Sequence, residues 1–414
     1  MPKANLISSI DLDALVFDGD RDMRAALLGD ERFRELVEEA EANTVVAGAR
    51  RDLLLSSLKL TPKIAPDFHT ALARVASRLG IQAEIEAYCV AEPFPNAFVT
   101  PPEHGRLLLG VSSAALERLD PSELSFVLGH EIGHALLDHF SLSPEVLQSD
   151  ERLAPAELAR YYAWMRYAEL SADRVGLVCA EDADAAVRAF FKLTSGLSEP
   201  RFLGNAKESA HQWADIAAEK MESVEADWFA THPYSPLRLK ALDVFARSRT
   251  YHTLIGKQGG ELDEAALERE VHAIMQLMDP SFLNDRSDAS ADVRDFLALA
   301  GVAVATADGT VVDAEHEMVI GLVGPEGRLS DGALIEELGD EEFERRLVGI
   351  AEKLCVRLSP VRRQKILEDL VAIALADEEL ADAEVQVLGA AAIWLGVDPR
   401  FVEEAIARYA TALD

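Results

Sequence analysis

Cysteine is scarce in this chain. Three thiols, Cys89, Cys179 and Cys355, are scattered over 414 residues. An odd, dispersed set gives no disulfide framework and suits a reducing cytoplasm. Basic residues are also few: 40 Lys and Arg stand against 73 Asp and Glu, for a net charge of −33. That balance argues against nucleic-acid binding, which needs cationic surface against phosphates, and against adsorption to anionic lipid. Long apolar runs are missing too. Stretches such as Phe296–Thr306 fall far short of the ~20 residues of a transmembrane helix. Met1–Asp11 carries one lysine and a brief apolar patch, which is not the pattern of a secretory signal. What the chain does have is 49% apolar residues, enough for two or three globular domains.

The densest chemistry lies in His130-Glu131-Ile132-Gly133-His134, an H-E-x-x-H sequence inside the run Pro121–His139 that reads as a helix. Residues four apart share a helix face, so both imidazoles can address one Zn²⁺, with Glu131 beside them to take a proton from water. The bland alternative is a surface helix that happens to carry two histidines. A third ligand must come from elsewhere, because Phe140 occupies the position six residues beyond His134. His139 is off that register and reads as a polar residue at a helix end. Glu169 is the best candidate. It lies four residues before Asp173 in the helix-like run Ala156–Ala180. One of these carboxylates can bind metal while the other accepts the free ring N–H of a ligand histidine. A solvated acidic face is the competing account. Leu170, Val175, Leu177 and Val178 around the pair favour a helix packed on the core. Gly133 costs about 1 kcal/mol against alanine in a helix, which close packing by the Glu169 helix would explain.

Further landmarks follow in order: Pro95-Asn96-Ala97-Phe98-Val99, Leu108–Gly110, Glu123–Gly129 leading into the histidine helix, Glu169 with Asp173, and Thr231-His232-Pro233 followed by Arg238 and Leu239. With these, Ile64–Val244 resembles the M48 family of zinc metallopeptidases. The resemblance implies that His130, His134 and Glu169 bind one catalytic zinc and that Glu131 is the general base. His232 is similar to a histidine that the family places near the cleft, where it could donate to an oxyanion; equally, it could only position the Pro233 turn. Arg238 is expected to hold local structure through a carboxylate, with Asp173 or a substrate terminus as the alternative partners. The segments Asn96–Val99 and Arg106–Gly110 read as a β-hairpin. Asn96, Ala97 and Phe98 would then lie on a strand that pairs with an extended peptide, or on a purely structural hairpin.

Elsewhere, Asp20–Glu41 and Thr44–Leu60 read as helical, and Pro66–Leu79 as a helix followed by a strand over Ile81–Val90. Pro236–Ser248 reads as a helix capped by Ser235, and Glu261–Met278 as another. The polar stretch after Asp279 is the best boundary. Beyond it, Val302–Glu315 repeats at Val371–Glu384, each copy an apolar helix, an acidic turn and a second helix that Asp313 or Asp382 would cap. The region Asp292–Asp414 resembles the tellurite-resistance TerB-like helical domain. That likeness implies a divalent-cation site or a protein-interaction module. Asp308, Asp313, Glu315, Asp377, Asp382 and Glu384 are the candidate ligands, with Ca²⁺ or Mg²⁺ suited to hard oxygens. Helix capping is the heavier alternative for these acids. From Gly301 onward there are 24 acids against 10 bases, an acidic surface open to a protein partner.

The expected fold class is α+β: a mainly helical zincin-type domain with a small sheet, plus an all-α bundle. The expected domains are residues 1–60 as a helical lead-in, 61–255 as the metallopeptidase domain, 256–290 as a bridge and linker, and 291–414 as the TerB-like domain. The expected function is a soluble zinc endopeptidase acting on protein or peptide substrates, with a regulatory helical domain. The alternative is a non-catalytic peptide-binding adaptor in which the TerB-like domain carries the main role.

Overall fold

A computed structural model describes residues 10–43, 48–142, 155–203, 211, 231–279, 290–307, 340–358, 360–375 and 380–412. The described chain forms two compact units. One is drawn from within residues 1–150, 164–216 and 231–275, and the other from within 151–163, 217–230 and 276–414. The fold is α+β, mostly helical with one small sheet.

The first unit opens with α1 (Asp18–Gly29), α2 (Glu31–Asn43) and α3 (Ala49–Ser56). The leucine-rich run predicted as helix to Leu60 stops at Ser56. Leu58–Leu60 is β1, an edge strand antiparallel to β2 (Glu84–Val90). A short leucine-rich run fits either period, and pairing with a neighbouring strand decides between them. Between these strands, α4 (Pro66–Leu79) runs over the predicted span. Proline opens it, and Gly80 closes it in the left-handed conformation, φ 66°. The hairpin is present as β3 (Ala97–Val99) and β4 (Arg106–Ser112), and β2 pairs with β4 in parallel, giving the order β1-β2-β4-β3. Phe98 lies opposite Gly110, and its ring occupies the space where a Cβ on Gly110 would stand.

After α5 (Ser113–Arg118) comes α6 (Pro121–Leu136), which carries both histidines. Its start is strongly specified. Asp120 Oδ1 accepts from the Ser122 and Glu123 amides at 2.8 and 3.0 Å, and the Glu123 carboxylate takes the Asp120 amide at 2.8 Å. Glu123 is fully buried and also meets Arg188 and Lys192 of α8 (Ala183–Ser195), which follows α7 (Pro155–Ala180). The α6 helix ends earlier than predicted. Asp138 adopts a left-handed backbone, φ 63°, and the chain turns into a short 3₁₀ segment, His139–Ser141. Arg24 of α1 holds that corner through Asp138 at 2.8 Å.

Glycine sets the spacing of α6 and α7. A Cβ on Gly129 would stand 2.7 Å from Cys179 Cβ, one on Gly176 2.7 Å from the Phe126 carbonyl, and one on Gly133 3.1 Å from Val175 Cβ. The packing expected of Gly133 is therefore present. The unit closes with α9 (Ser235–Ala246), α10 (Arg249–Leu254) and α11 (Glu264–Met275). Ser235 is the first residue of α9 rather than its cap; its hydroxyl instead accepts from Thr194.

The second unit contains α12 (Ser290–Ala305), α13 (Asp340–Arg357), α14 (Pro360–Ala374), α15 (Asp382–Trp394) and α16 (Arg400–Ala412). Phe296, Leu354, Ile366, Leu370 and Leu388 are fully buried in its core. Among the described residues no helix is long and apolar enough to cross a membrane.

Candidate metal centre

Two helices bring the predicted ligands together. His130 and His134 extend from α6, and Glu169 from α7. The His130 and His134 Nε2 atoms are 3.2 Å apart. Glu169 Oε1 lies 3.3 Å from His134 Nε2, and Glu169 Oε2 lies 3.5 Å from His130 Nε2. A tetrahedral ion with bonds of about 2.0–2.2 Å sets its ligands about 3.3–3.5 Å apart. The nearest approaches are of that size, the two to Glu169 being made by its two different oxygens. With one ligand atom taken from each side chain, the three lie within 4.8 Å of one another, the one such cluster among the described residues. Glu169 Oε2 is buried without a well-aligned hydrogen bond, although Arg238 Nη1 lies 3.0 Å away. A bound cation would satisfy it. The donor set, two imidazoles and a carboxylate with a fourth position left over, suits catalytic zinc.

The supporting layer is equally specific. Asp173 Oδ1 accepts from His130 Nδ1 at 2.9 Å, so the His130 proton sits away from the cluster. Arg238 of α9 grips Asp173 with two bonds, Nε to Oδ2 at 2.8 Å and Nη2 to Oδ1 at 2.7 Å, and its guanidinium stacks over Phe190 at 4.8 Å. Asp173 is the partner named among those expected for Arg238. Burial alone would raise the Glu169 carboxyl, but Arg238 and His134 hold it well below the usual carboxylate range. Asp173 is likewise depressed despite burial, by Arg238 and His130. Glu131 is different. Burial pushes its carboxyl up, and the neighbouring imidazoles offset only part of that.

The remaining predicted residues fall at the rim or elsewhere. His232 is 62% exposed, with Nε2 3.5 Å from Glu169 Oε1 and Nδ1 2.7 Å from Thr231 Oγ1. Asn96 and Thr100 bond to the β4 side, through the Ser112 amide at 2.9 Å and the Leu108 carbonyl at 3.0 Å. By strand alternation the peptide groups of Ala97 and Val99 face the opposite edge, with which no described strand pairs. Phe98 packs back over Gly110. Of the C-terminal acids, Asp308, Asp313, Glu315 and Asp377 lie outside the described residues. Asp382 begins α15 rather than capping it and is exposed, while Glu384 is buried and accepts the Ala381 amide at 2.6 Å.

Sequence reasoning missed His139 and Asp20. The turn at Asp138 folds His139 back, so that its Nδ1 lies 2.9 Å from His134 Nδ1. Its Nε2 lies 3.2 Å from Asp20 Oδ2 on α1. Both residues are buried. Burial pushes the His139 imidazole down, and Asp20 only partly offsets it. The signal for His139 was its place five residues past His134. A helix continued to that point would have turned it off the metal face. Nothing local marks Asp20, which is 119 residues away from its partner.

Residues 62–246 match the model of Peptidase family M48, and residues 294–407 match that of tellurite resistance protein TerB. The chain is similar to the chloroplastic plastoglobule-localized metallopeptidase 48 of Arabidopsis thaliana, 28% identical over 210 residues, which are 46% of this chain and 59% of that protein. It is also similar to a protease HtpX homolog of Moorella thermoacetica, 35% identical over 80 residues, covering 19% of this chain and 26% of the relative. A further HtpX homolog, from Pyrobaculum islandicum, is 39% identical over 92 residues, or 20% of this chain and 25% of the relative. The chain thus spans less than two thirds of each of these proteins. No solved structure gives a significant match. With the M48 match enclosing His130, His134, Glu169, Asp173 and Arg238, residues 62–246 are a domain of peptidase family M48, and residues 294–407 are a TerB domain.

Proposed function

We propose that this chain is a zinc-dependent endopeptidase. The observation that carries it is the His130–His134–Glu169 cluster, in which one ligand atom from each side chain lies within 4.8 Å of the others. Zinc bound there supplies a Lewis acid that makes water acidic and polarises a carbonyl. Glu131 takes the proton from the attacking water and returns it to the leaving amine. His232, at the rim, is the candidate donor to the developing oxyanion. Arg238 and Asp173 act behind His130 and Glu169 as positioning residues.

Substrate binding is assigned to the open edge of β3. Ala97 and Val99 offer backbone groups to an extended peptide, which orients it without fixing its sequence. Asn96 and Phe98 shape the strand from the β4 side. Residues 61–255 are read as the catalytic domain, 256–290 as a bridge and 291–414 as a helical module for regulation or partner binding. The three free thiols suit a reducing compartment.

The decisive experiment measures zinc content and cleavage of unfolded casein for the wild type and Glu131→Gln. Both proteins are expected to hold one zinc, and the variant to lose at least ~10²-fold in cleavage. Casein cleavage persisting in the variant would remove Glu131 from its role. A wild type that holds zinc and cleaves nothing would favour the peptide-binding adaptor.

A further inference from the structure

We propose that Asp20, on a helix upstream of the M48-matching residues, is a positioning residue of the metal centre and acts on His134 through His139. The inference rests on the zinc assignment above.

Asp20 is 2% exposed, and both of its oxygens are engaged. Oδ1 accepts from Trp164 Nε1 at 2.9 Å. Oδ2 accepts from Ser171 Oγ at 2.6 Å and faces His139 Nε2 at 3.2 Å. An ionised carboxylate can only accept. The His139 proton therefore sits on Nε2, and in the neutral ring Nδ1 is left bare. That Nδ1 is 2.9 Å from His134 Nδ1, so it accepts the His134 proton. His134 Nε2 is then free of hydrogen, with its lone pair on the side of Glu169 and His130. The acceptor-only end of the line fixes the direction of every bond in it. Asp173 does the same for His130 in one step.

Location makes this more than a buried ion pair. Ser171 lies two residues from Glu169 on α7, and it also accepts the Phe17 amide at 3.0 Å just before α1 begins. The start of α1 is thereby tied to the helix that carries the third ligand. The metal-holding unit extends upstream of residues 62–246 to include the first turn of α1.

Asn at position 20 keeps the shape and reverses the line. Its carbonyl is claimed by Trp164, so its NH₂ faces Ser171 and His139. His139 would then carry its proton on Nδ1 and donate to His134, pushing the His134 proton onto Nε2, where it competes with the ion.

The test uses the full chain and reads zinc affinity by chelator competition, with the visible absorption of the Co²⁺-substituted protein as a second readout. Asp20→Asn is expected to bind zinc ~10–100-fold more weakly, the usual effect of a lost outer partner. Its Co²⁺ spectrum should change, while its metal-free circular dichroism and urea midpoint stay near wild type. His139→Leu, which cuts the line at its centre, should lose affinity to a similar degree and decides the matter if Asp20→Asn does not fold. Trp164→Phe removes only the Oδ1 bond and should lose less than about tenfold. The proposal is overturned if Asp20→Asn and His139→Leu both stay within about tenfold of a zinc-binding wild type, or if Trp164→Phe loses as much as they do. A wild type that binds no zinc would instead sink the zinc assignment itself.

Discussion

Arg238 is the cation on which the two acids of the centre depend. It meets Asp173 through two bonds and Glu169 through a third contact at 3.0 Å, and its side chain is only 13% exposed. Removing one partner of such a buried cluster leaves charge without compensation, which typically costs about 3–5 kcal/mol. Arg238→Met is expected to lose that much in the chelator-treated protein and less in the zinc-loaded one, where the ion takes over part of the compensation. Urea midpoints with and without chelator would check this. Glu86 makes a separate acid-sensitive site on the sheet. Burial alone would raise its carboxyl, but Tyr88, Arg50 and Lys59 bring it to about 2, against an ordinary value of 4.5. A depressed carboxyl contributes stability above its ordinary pKa and loses it as pH falls toward the folded value. The stability gap between wild type and Glu86→Gln should therefore be full above pH 4.5 and close between 4.5 and about 2. A gap that does not change over that range would contradict the assignment.

Among the elements, the α6–α7 pair decides whether the ligands meet. Its closeness rests on glycines that allow backbone-to-backbone contact. In Gly176→Ala the new Cβ would stand 2.7 Å from the Phe126 carbonyl, so the helices must separate. Overpacking of this kind costs about 1–3 kcal/mol. The same separation widens the Glu169–histidine distances, so zinc affinity should fall along with stability. Gly389→Ala is the contrast. It lies within α15, and nothing stands within 4 Å of its new Cβ. Relief of glycine's helix penalty should raise stability by up to about 1 kcal/mol. Calorimetry of the two variants would separate these signs. Much of this layer was legible beforehand. The hairpin, α4 and both ligand helices follow from local periodicity and punctuation. Leu58–Leu60 was not legible, because three residues carry no period of their own. The end of α6 was not legible either, since a non-glycine residue at φ 63° leaves little trace in sequence.

At the scale of the whole molecule, the chain is two compact units with one candidate metal-binding cluster among its described residues, and that cluster lies in the first. A ligand that binds only the folded state stabilises what it binds by mass action, about 2.7 kcal/mol at a hundredfold excess over its dissociation constant. Chelation is thus expected to lower the unfolding transition of the first unit and leave that of the second where it was. Differential scanning calorimetry with and without chelator reads this directly. Equal shifts of both transitions would mean that the metal acts on the second unit as well.

Sequence by itself determined the chemistry on each helix. Two histidines four apart and two acids four apart must each share a face, because helical periodicity is a property of the local backbone. Only tertiary structure decided that the two faces meet at zinc-sized distances, that Arg238 closes over both acids, and that His139 turns back to His134. It alone brought in Asp20, whose place depends on how a distant helix packs. Proximity between residues 119 apart is a consequence of core packing, and no local pattern encodes it.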